Sequence, residues 1–282
     1  MRKICLLLLL PIICAVPLAG QLSVFELSNT VTFDGSIGGT EWNDATAASS
    51  IVLGNLGAVT GTGFSAPTDG ADLSGTVRLK WDSSNLYALF QITDDIRGED
   101  SADGNGIALD LNSFNDDSVE LYFSDTYPDS GNLDGSNRYQ YRFNPNSNAL
   151  DQEIESTPII GANEAGIVWG VQESGTNYVV EVAIPWSNLG LGSSPVIGNS
   201  FSFMAGVNDD DGVDTGGGSD TDRQHQLFWN STFDSAYDDA TQWSQITLAA
   251  AIPEPSTYAM IFGCVGLAAV IFVKRRRAAK AE

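Results

Sequence analysis

Carboxylates are the first residues of this 282-residue chain that are dense enough to do chemistry. Asp209-Asp210-Asp211-Gly212, followed by Asp214, Asp220 and Asp222, puts six carboxylates into a Gly-rich stretch of 14 residues. Calcium takes about six to eight hard oxygen ligands, so this composition suits a Ca2+ loop led by Asp209, Asp210, Asp211 and Asp214. Asp94-Asp95 and Asp103-Gly104-Asn105 are smaller clusters of the same kind. None has EF-hand spacing, and a solvated acidic loop is the alternative at each.

Catalytic chemistry finds less support. His225 is the only histidine, so a Ser/His/Asp triad would have to use it, and no Gly-x-Ser-x-Gly elbow is present. A glycosidase needs two carboxylates about 5–5.5 or 6.5–9.5 Å apart. Glu153-Ile154-Glu155 is the nearest motif of that kind, and it lacks a spaced third carboxylate. The expectation is a protein without catalytic residues. A haem-binding extracellular domain, with Met204 and His225 as axial ligands, is a further alternative.

These groups must be carried by strands. Val77 to Asp82 alternates apolar and polar residues, Asp82-Ser83-Ser84-Asn85 supplies turn chemistry, and Leu86 to Ile92 returns as a more buried strand. Similar runs follow at Ser118 to Phe123, Arg138 to Asn144, Ile167 to Gln172, Tyr178 to Ile184, Phe201 to Asn208, Gln226 to Asn230 and Gln245 to Leu248. No long 3.6-residue apolar period interrupts them. The reading is all-β, an antiparallel β-sandwich or jelly-roll. Side chains alternate across a strand, so Val119, Leu121 and Phe123 face the core while Glu120 faces away. By the same parity Arg142 and Asn208 share a polar surface with Glu120. That surface holds either a ligand-orienting pair or an ordinary solvated ion pair worth about 0–1 kcal/mol.

Five local signatures in order carry a resemblance. Phe33-Asp34-Gly35-Ser36 with Glu41-Trp42, Leu79-Lys80-Trp81-Asp82 with Leu86-Tyr87, Asp116 to Phe123, Tyr178 to Trp186, and Phe203 to Asp209 together resemble the family 9 carbohydrate-binding modules. The resemblance implies a β-sandwich with calcium sites and non-catalytic recognition of a glycan or polysaccharide. It also implies a site in which two rings, at the positions of Phe114 and Tyr237, clamp a terminal sugar. Glu120 and Arg142 match the carboxylate and arginine that bond its hydroxyls, and Asn208 is the candidate amide. Both family rings are tryptophans, so phenyl and phenol faces offer less stacking area here. Two other readings stay open: a structural matrix or biofilm protein with no sugar site, and an accessory module or enzyme of polysaccharide breakdown. In the matrix reading Phe114 and Tyr237 pack loops. The six tryptophans, Trp42, Trp81, Trp169, Trp186, Trp229 and Trp243, read as packing residues in any case.

The two ends of the chain address it. Arg2 and Lys3, the apolar run Ile4 to Leu18 and the small pair Ala19-Gly20 have the layout of a cleavable signal peptide at 1–20. Residues 256–273 contain no charge and are long enough for one transmembrane helix, and the basic stop Lys274-Arg275-Arg276-Arg277 favours the cytoplasmic side. With Pro253-Glu254-Pro255 directly before the span, residues 252–282 resemble the PEP-CTERM sorting tail. The resemblance implies export, an exosortase partner, a membrane-anchored intermediate and a final place in the cell envelope or extracellular matrix. Between the ends, residues 21–251 read as one domain. Cys5, Cys14 and Cys264 all fall outside it, so no disulfide staples it. It carries 34 of the 36 acidic residues up to Ile252 against six cations, a field that repels phosphate and excludes nucleic acid as a partner.

Overall fold

The computed structural model describes residues 21–37, 40–43, 50–52, 56–58, 65–96, 116–131, 137–145, 154–155, 165–211 and 223–251. Residues 1–20 and 252–282 lie outside the described residues, and so do Phe114, Asp214 and the Asp103-Gly104-Asn105 cluster. No helix among the described residues is long and apolar enough to cross a membrane.

Among the described residues, thirteen strands carry the fold: β1 (Gln21–Glu26), β2 (Ser50–Val52), β3 (Leu56–Ala58), β4 (Leu73–Trp81), β5 (Asn85–Asp94), β6 (Ser118–Ser124), β7 (Arg138–Phe143), β8 (Ile154–Glu155), β9 (Val168–Ser174), β10 (Asn177–Pro185), β11 (Ser200–Asp209), β12 (His225–Trp229) and β13 (Ser244–Ala249). Their order is β8-β7-β6-β11-β13-β1-β4-β5-β10-β9, with β12 beside β11, β2 beside β4 and β3 beside β12. The expected hairpin is present as β4 and β5, paired from Leu73↔Asp94 to Trp81↔Leu86. One part of the antiparallel expectation is corrected. β1 runs parallel to β13 through Gln21↔Gln245 to Phe25↔Ala249, and parallel to β4 at Phe25↔Lys80 and Glu26↔Trp81. The strand hands its backbone bonds from one half of the sheet to the other, and this is what lets the sheet fold back on itself.

The folding-over shows in the core. Val119, Leu121, Phe123, Tyr141, Phe143, Phe203 and Val207 from the β6-β7-β11 half share one buried cluster with Leu79, Ala88, Phe90, Val180 and Val182 from the β4-β5-β10 half. The parity read from the sequence holds in each of these strands. The tryptophans also pack as expected: Trp42, Trp81, Trp186, Trp229 and Trp243 are buried, and Trp169 lies against the core with its ring 5.6 Å from that of Phe143. Their indole N–H groups reach fixed acceptors, Trp81 at the Ala249 carbonyl (3.0 Å) and Trp186 at the Asp82 carbonyl (2.8 Å). These bonds satisfy the one polar atom that each ring takes into the interior.

Residues 27–37 and 40–43 belong to a strap over the outer face of β4, β5 and β10. Its Val31 and Trp42 pack with Tyr87, Leu89 and Ala183. The buried carboxylate of Glu181 anchors it by accepting from Trp42 Nε1 (2.6 Å) and the Gly35 amide (2.9 Å). Burial pushes the Glu181 carboxyl up, against the pull of those two donors. At Gly35 the strap comes so near β9 that a Cβ would lie 2.3 Å from the Gln172 backbone nitrogen, and φ there is +70°. Gly175 has nearly the same φ, +71°, with nothing within 4 Å. Gly35→Ala is therefore expected to destabilise the fold by about 2 kcal/mol more than Gly175→Ala, which carries only the left-handed penalty of about 1 kcal/mol. Urea unfolding of both variants checks this, and equal losses would remove the close approach as the cause.

Candidate functional site

Antiparallel register sets Glu120 of β6 opposite Arg142 of β7 and opposite Gly206 of β11. Arg142 Nε donates to Glu120 Oε1 at 2.8 Å. The Tyr122 hydroxyl donates to Oε2 at 2.5 Å, and Gln140 Nε2 bonds both Oε1 and the Tyr122 oxygen at 3.1 Å. Gly206 leaves the space for this group, since a Cβ there would meet the Phe228 ring at 2.9 Å and Glu120 Oε2 at 3.2 Å. Burial opposes ionisation of Glu120, but the Arg142 charge and the Tyr122 hydroxyl outweigh it and hold the carboxyl below its ordinary range. The same burial, with the Glu120 charge beside it, drives the Tyr122 phenol well up.

Asn208 joins this layer as its parity predicts. Its Oδ1 accepts from Arg223 (2.6 Å) and Gln226 (2.8 Å), and its Nδ2 donates to Ser118 (2.9 Å). The expectation of a polar surface is corrected, however, because the layer is inside the protein. Glu120 is 1% exposed, Arg142 3% and Asn208 0%. Residues 231–243 fold over this face, where two short 3-10 turns (Asp234–Tyr237 and Ala240–Gln242) place Ala236, Ala240 and Trp243 on Tyr122, Met204 and Phe228. Strand parity tells which face a residue is on; it does not tell what covers that face. Tyr237, the residue after Ala236, stays 47% exposed at the rim of this roof, and Phe233 is 59% exposed. Tyr122, Gln140, Arg223 and Gln226 complete the layer and were not among the candidates. All but Arg223, which precedes β12, share the outward parity of Glu120 and Arg142.

Several acidic clusters that are far apart in sequence merge in space. The carboxylates of Asp94, Asp117 and Asp209 lie within 4.8 Å of one another, as do those of Asp94, Asp95 and Asp211. Asp72, Asp209, Asp211 and His225 make a further group with the same spacing. Of the expected ligands, Asp209 and Asp211 are brought together. Asp210 belongs to none of these groups, and its backbone amide is held by Asp117 Oδ1 at 2.9 Å. Asp72, Asp117 and His225 were missed, although strand parity held a signal. Asp94 continues the core-facing series Phe90-Ile92, Asp117 precedes Val119 on the core side, Asp209 follows Val207, and His225 precedes Leu227. The carboxylates thus cap one end of the space between the two halves. Burial, reinforced by the neighbouring carboxylates, pushes Asp209 up to about 9 and Asp94 up to about 7. Neither oxygen of Asp209, Oδ2 of Asp94 nor Oδ1 of Asp211 has a hydrogen-bond partner. Buried oxygens without donors, on a hard-ligand set, fit a divalent cation such as Ca2+.

Two chemistries weighed from sequence meet obstacles in this geometry. His225 Nδ1 is 2.8 Å from the Ser65 carbonyl oxygen and 3.3 Å from its hydroxyl. The carbonyl can only accept, so Nδ1 carries a proton and offers no base to that hydroxyl. Met204 is fully buried under the roof, and it is five residues along β11 from Asp209, the register partner of His225. Those five residues span about 16 Å of strand, so the two side chains cannot ligate one haem iron.

Two packed halves of one curled sheet, with an acidic end and exposed Phe233 and Tyr237 at the roof, define the chain as a β-sandwich. The family model described as carbohydrate family 9 binding domain-like matches residues 34–251, and the chain belongs to that family. The similar solved structures include a family 9 carbohydrate-binding module from Caldicellulosiruptor kristjanssonii in complex with cellotriose. It has a TM-score of 0.56 and 17% identity over 83% of this chain and 98% of that one. The same module in complex with glucose also gives 0.56 and 17%, over 82% and 98%. Among curated proteins, Exoglucanase XynX of Acetivibrio thermocellus is 29% identical over 165 residues, 58% of this chain. The match spans only 13% of that enzyme's length.

Two outcomes are expected from this geometry. Glu120→Ala leaves a buried guanidinium without its carboxylate and should cost about 3–5 kcal/mol of stability in urea unfolding, whereas Tyr237→Ala at the exposed rim should stay within about 0.5 kcal/mol. The second concerns pH. Asp94 and Asp209 are raised in the folded state from about 3.9 in the unfolded chain, so folding takes up protons. The contribution of these two groups to the stability of ion-free protein is then full below about pH 4 and is lost as pH rises through about 7 and about 9. In chelator the melting temperature should fall by roughly 5 °C or more between about pH 5 and pH 9. Saturating calcium should flatten that dependence and release protons on binding. A melting temperature in chelator that does not change with pH would contradict the assignment.

Proposed function

We propose that this chain is a non-catalytic carbohydrate-binding protein that reversibly recognises the end of a glycan. The observation that carries the reading is the half-exposed Tyr237 at the rim of the roof, in a chain that belongs to a carbohydrate-binding family over residues 34–251. The phenol face stacks on the C–H face of a pyranose, with Phe114 as the second ring by family position. Glu120 and Arg142 form the charged floor under the roof. In this reading they bond sugar hydroxyls where the roof gives way to a ligand. The complexes of the Caldicellulosiruptor kristjanssonii module with cellotriose and glucose make glucan ends the first ligands to try. Calcium, held by Asp94, Asp95, Asp117, Asp209 and Asp211, would supply positive charge against these carboxylates and so stiffen the module.

One observation favours a second reading. Glu120, Arg142 and Asn208 make their bonds within the protein, which is what a matrix protein without a sugar site would also show. Calorimetric titration with cello-oligosaccharides, backed by a glycan array, separates the two. Tyr237→Ala should weaken binding roughly tenfold, about 1.4 kcal/mol, at unchanged stability. Binding indifferent to that substitution would reject the site, and no binding to any glycan would favour the matrix reading.

The proposal includes an address. The signal at 1–20 exports the chain, and the tail at 252–282 holds it in the membrane by 256–273 until an exosortase acts near Pro253-Glu254-Pro255, leaving the domain in the envelope or extracellular matrix. Mass spectrometry of the extracellular product should find a C-terminus close to that tripeptide. An intact Arg275-Arg276-Arg277 would contradict processing.

A further inference from the structure

The imidazole among the carboxylates presents a problem that calcium does not solve. His225 is 5% exposed. Its Nδ1 proton goes to the Ser65 carbonyl, so its second nitrogen, Nε2, faces Asp211 Oδ2 at 3.4 Å and Asp72 Oδ1 at 3.8 Å. A neutral ring would turn a lone pair toward two carboxylate oxygens. Something must stand between them, and a water bonded to both would hold Nε2 and Asp211 Oδ2 farther apart than 3.4 Å, which leaves a proton or a metal ion.

Geometry separates the choices. A protonated imidazole bonded to a carboxylate brings nitrogen and oxygen to about 2.7–2.9 Å, and both distances here are longer. Two ligands about 2.0–2.1 Å from one tetrahedral ion are about 3.3 Å apart, close to the 3.4 Å between His225 and Asp211. A proton on His225 would also leave Asp209 unanswered. That side chain is fully buried, both its oxygens lack a hydrogen-bond partner, and its ligand atom lies within 4.8 Å of those of Asp72, Asp211 and His225. The Nδ1 bond to a backbone carbonyl is the outer-shell contact that fixes a metal-binding histidine in the right tautomer.

We propose that Asp72, Asp209, Asp211 and His225 form a second cation site of mixed nitrogen and oxygen ligands, which takes a borderline transition-metal ion such as zinc. It lies beside the all-oxygen calcium group of Asp94, Asp95, Asp117, Asp209 and Asp211, with Asp209 and Asp211 common to both. The two sites differ in ligand softness. An imidazole suits zinc, copper or nickel, whereas carboxylates alone suit calcium or magnesium. The inference goes beyond the carbohydrate reading and does not need calcium to be bound.

His225 is the only histidine of the chain, so one imidazole ring reports the site. The full-length protein is stripped with chelator, saturated with calcium, and titrated with zinc against a chromophoric competitor while the ring nitrogens are followed by long-range 1H–15N NMR. The expected result is one zinc equivalent bound to calcium-loaded protein, with Nε2 moving to a metal-bound shift and Nδ1 staying protonated. His225→Gln and, separately, Asp72→Asn should weaken zinc at least tenfold and leave calcium binding in place. An Nε2 signal unmoved by zinc in the unsubstituted protein overturns the proposal without relying on any variant. Zinc that merely displaces calcium one for one, with the ring unchanged, also overturns it. Calcium binding without zinc binding rejects this site alone, and zinc binding at His225 without calcium rejects only the calcium reading.

Discussion

The two halves of this sheet meet at β1 and again at an acidic end, and the second meeting depends on electrostatics. β1 joins them through backbone bonds. At the end of the sandwich they meet again through carboxylates: Asp72 precedes β4 and Asp94 ends β5, whereas Asp117 precedes β6 and Asp209 ends β11. Each carboxylate continues, or stands next to, a core-facing series, so the apolar interior ends in a patch of negative charge with few donors. Taking such charges out of water costs several kcal/mol per ion unless protons or cations answer them. Protons answer Asp94 and Asp209 only until pH rises through about 7 and about 9. A divalent ion there would draw strands of both halves together, which is useful in a domain that has no cysteine to staple it.

The contrast with Glu120 and Arg142 shows why only one of the two buried polar groups calls for an outside partner. Glu120 has Arg142, Tyr122 and Gln140 around it, and both its oxygens are bonded. Its layer is complete without a ligand, and the roof of Ala236, Ala240 and Trp243 can close over it. The Trp243 indole, donating to the Ala236 carbonyl at 2.8 Å, ties the two ends of that roof together. Asp209, on the other face of the same strand as Asn208, has no such company.

Much of this arrangement was legible in residue order. Alternation placed the β4-β5 hairpin, the core faces of β6, β7 and β11, and the shared side of Glu120, Arg142 and Asn208. β1 was missed because Gln21 to Glu26 directly follows a run read as a signal peptide, and its parallel partners are 225 or so residues away in one case and about 55 in the other. The roof was missed for a different reason. Ala236 and Ala240 are small residues in a polar loop, and nothing in their local pattern says that they cover a charged face. The acidic end was half legible. Density alone pointed to Asp209 and Asp211, but it also pointed to Asp210, because density ignores the alternation that separates neighbours along a strand. Asp72, Asp94 and Asp117 are joined to them only by the fold.

The same alternation links the two polar regions. Gln224 accepts from the Asp211 amide and donates its own amide to the Asp209 carbonyl, and His225 continues on the acidic side. Arg223 and Gln226, one residue to either side of that pair, bond Asn208 on the roofed side. The Arg223 charge also acts on Glu120 and Tyr122. Residues 223–226 are therefore shared by the capped end and the floor beneath Tyr237. An ion that fixes Asp209, Asp211 and His225 fixes the start of β12, and with it the guanidinium that completes the floor. The proposed cation and the proposed sugar floor would therefore meet at one strand start, where His225 belongs to the acidic end and Arg223 and Gln226 belong to Asn208.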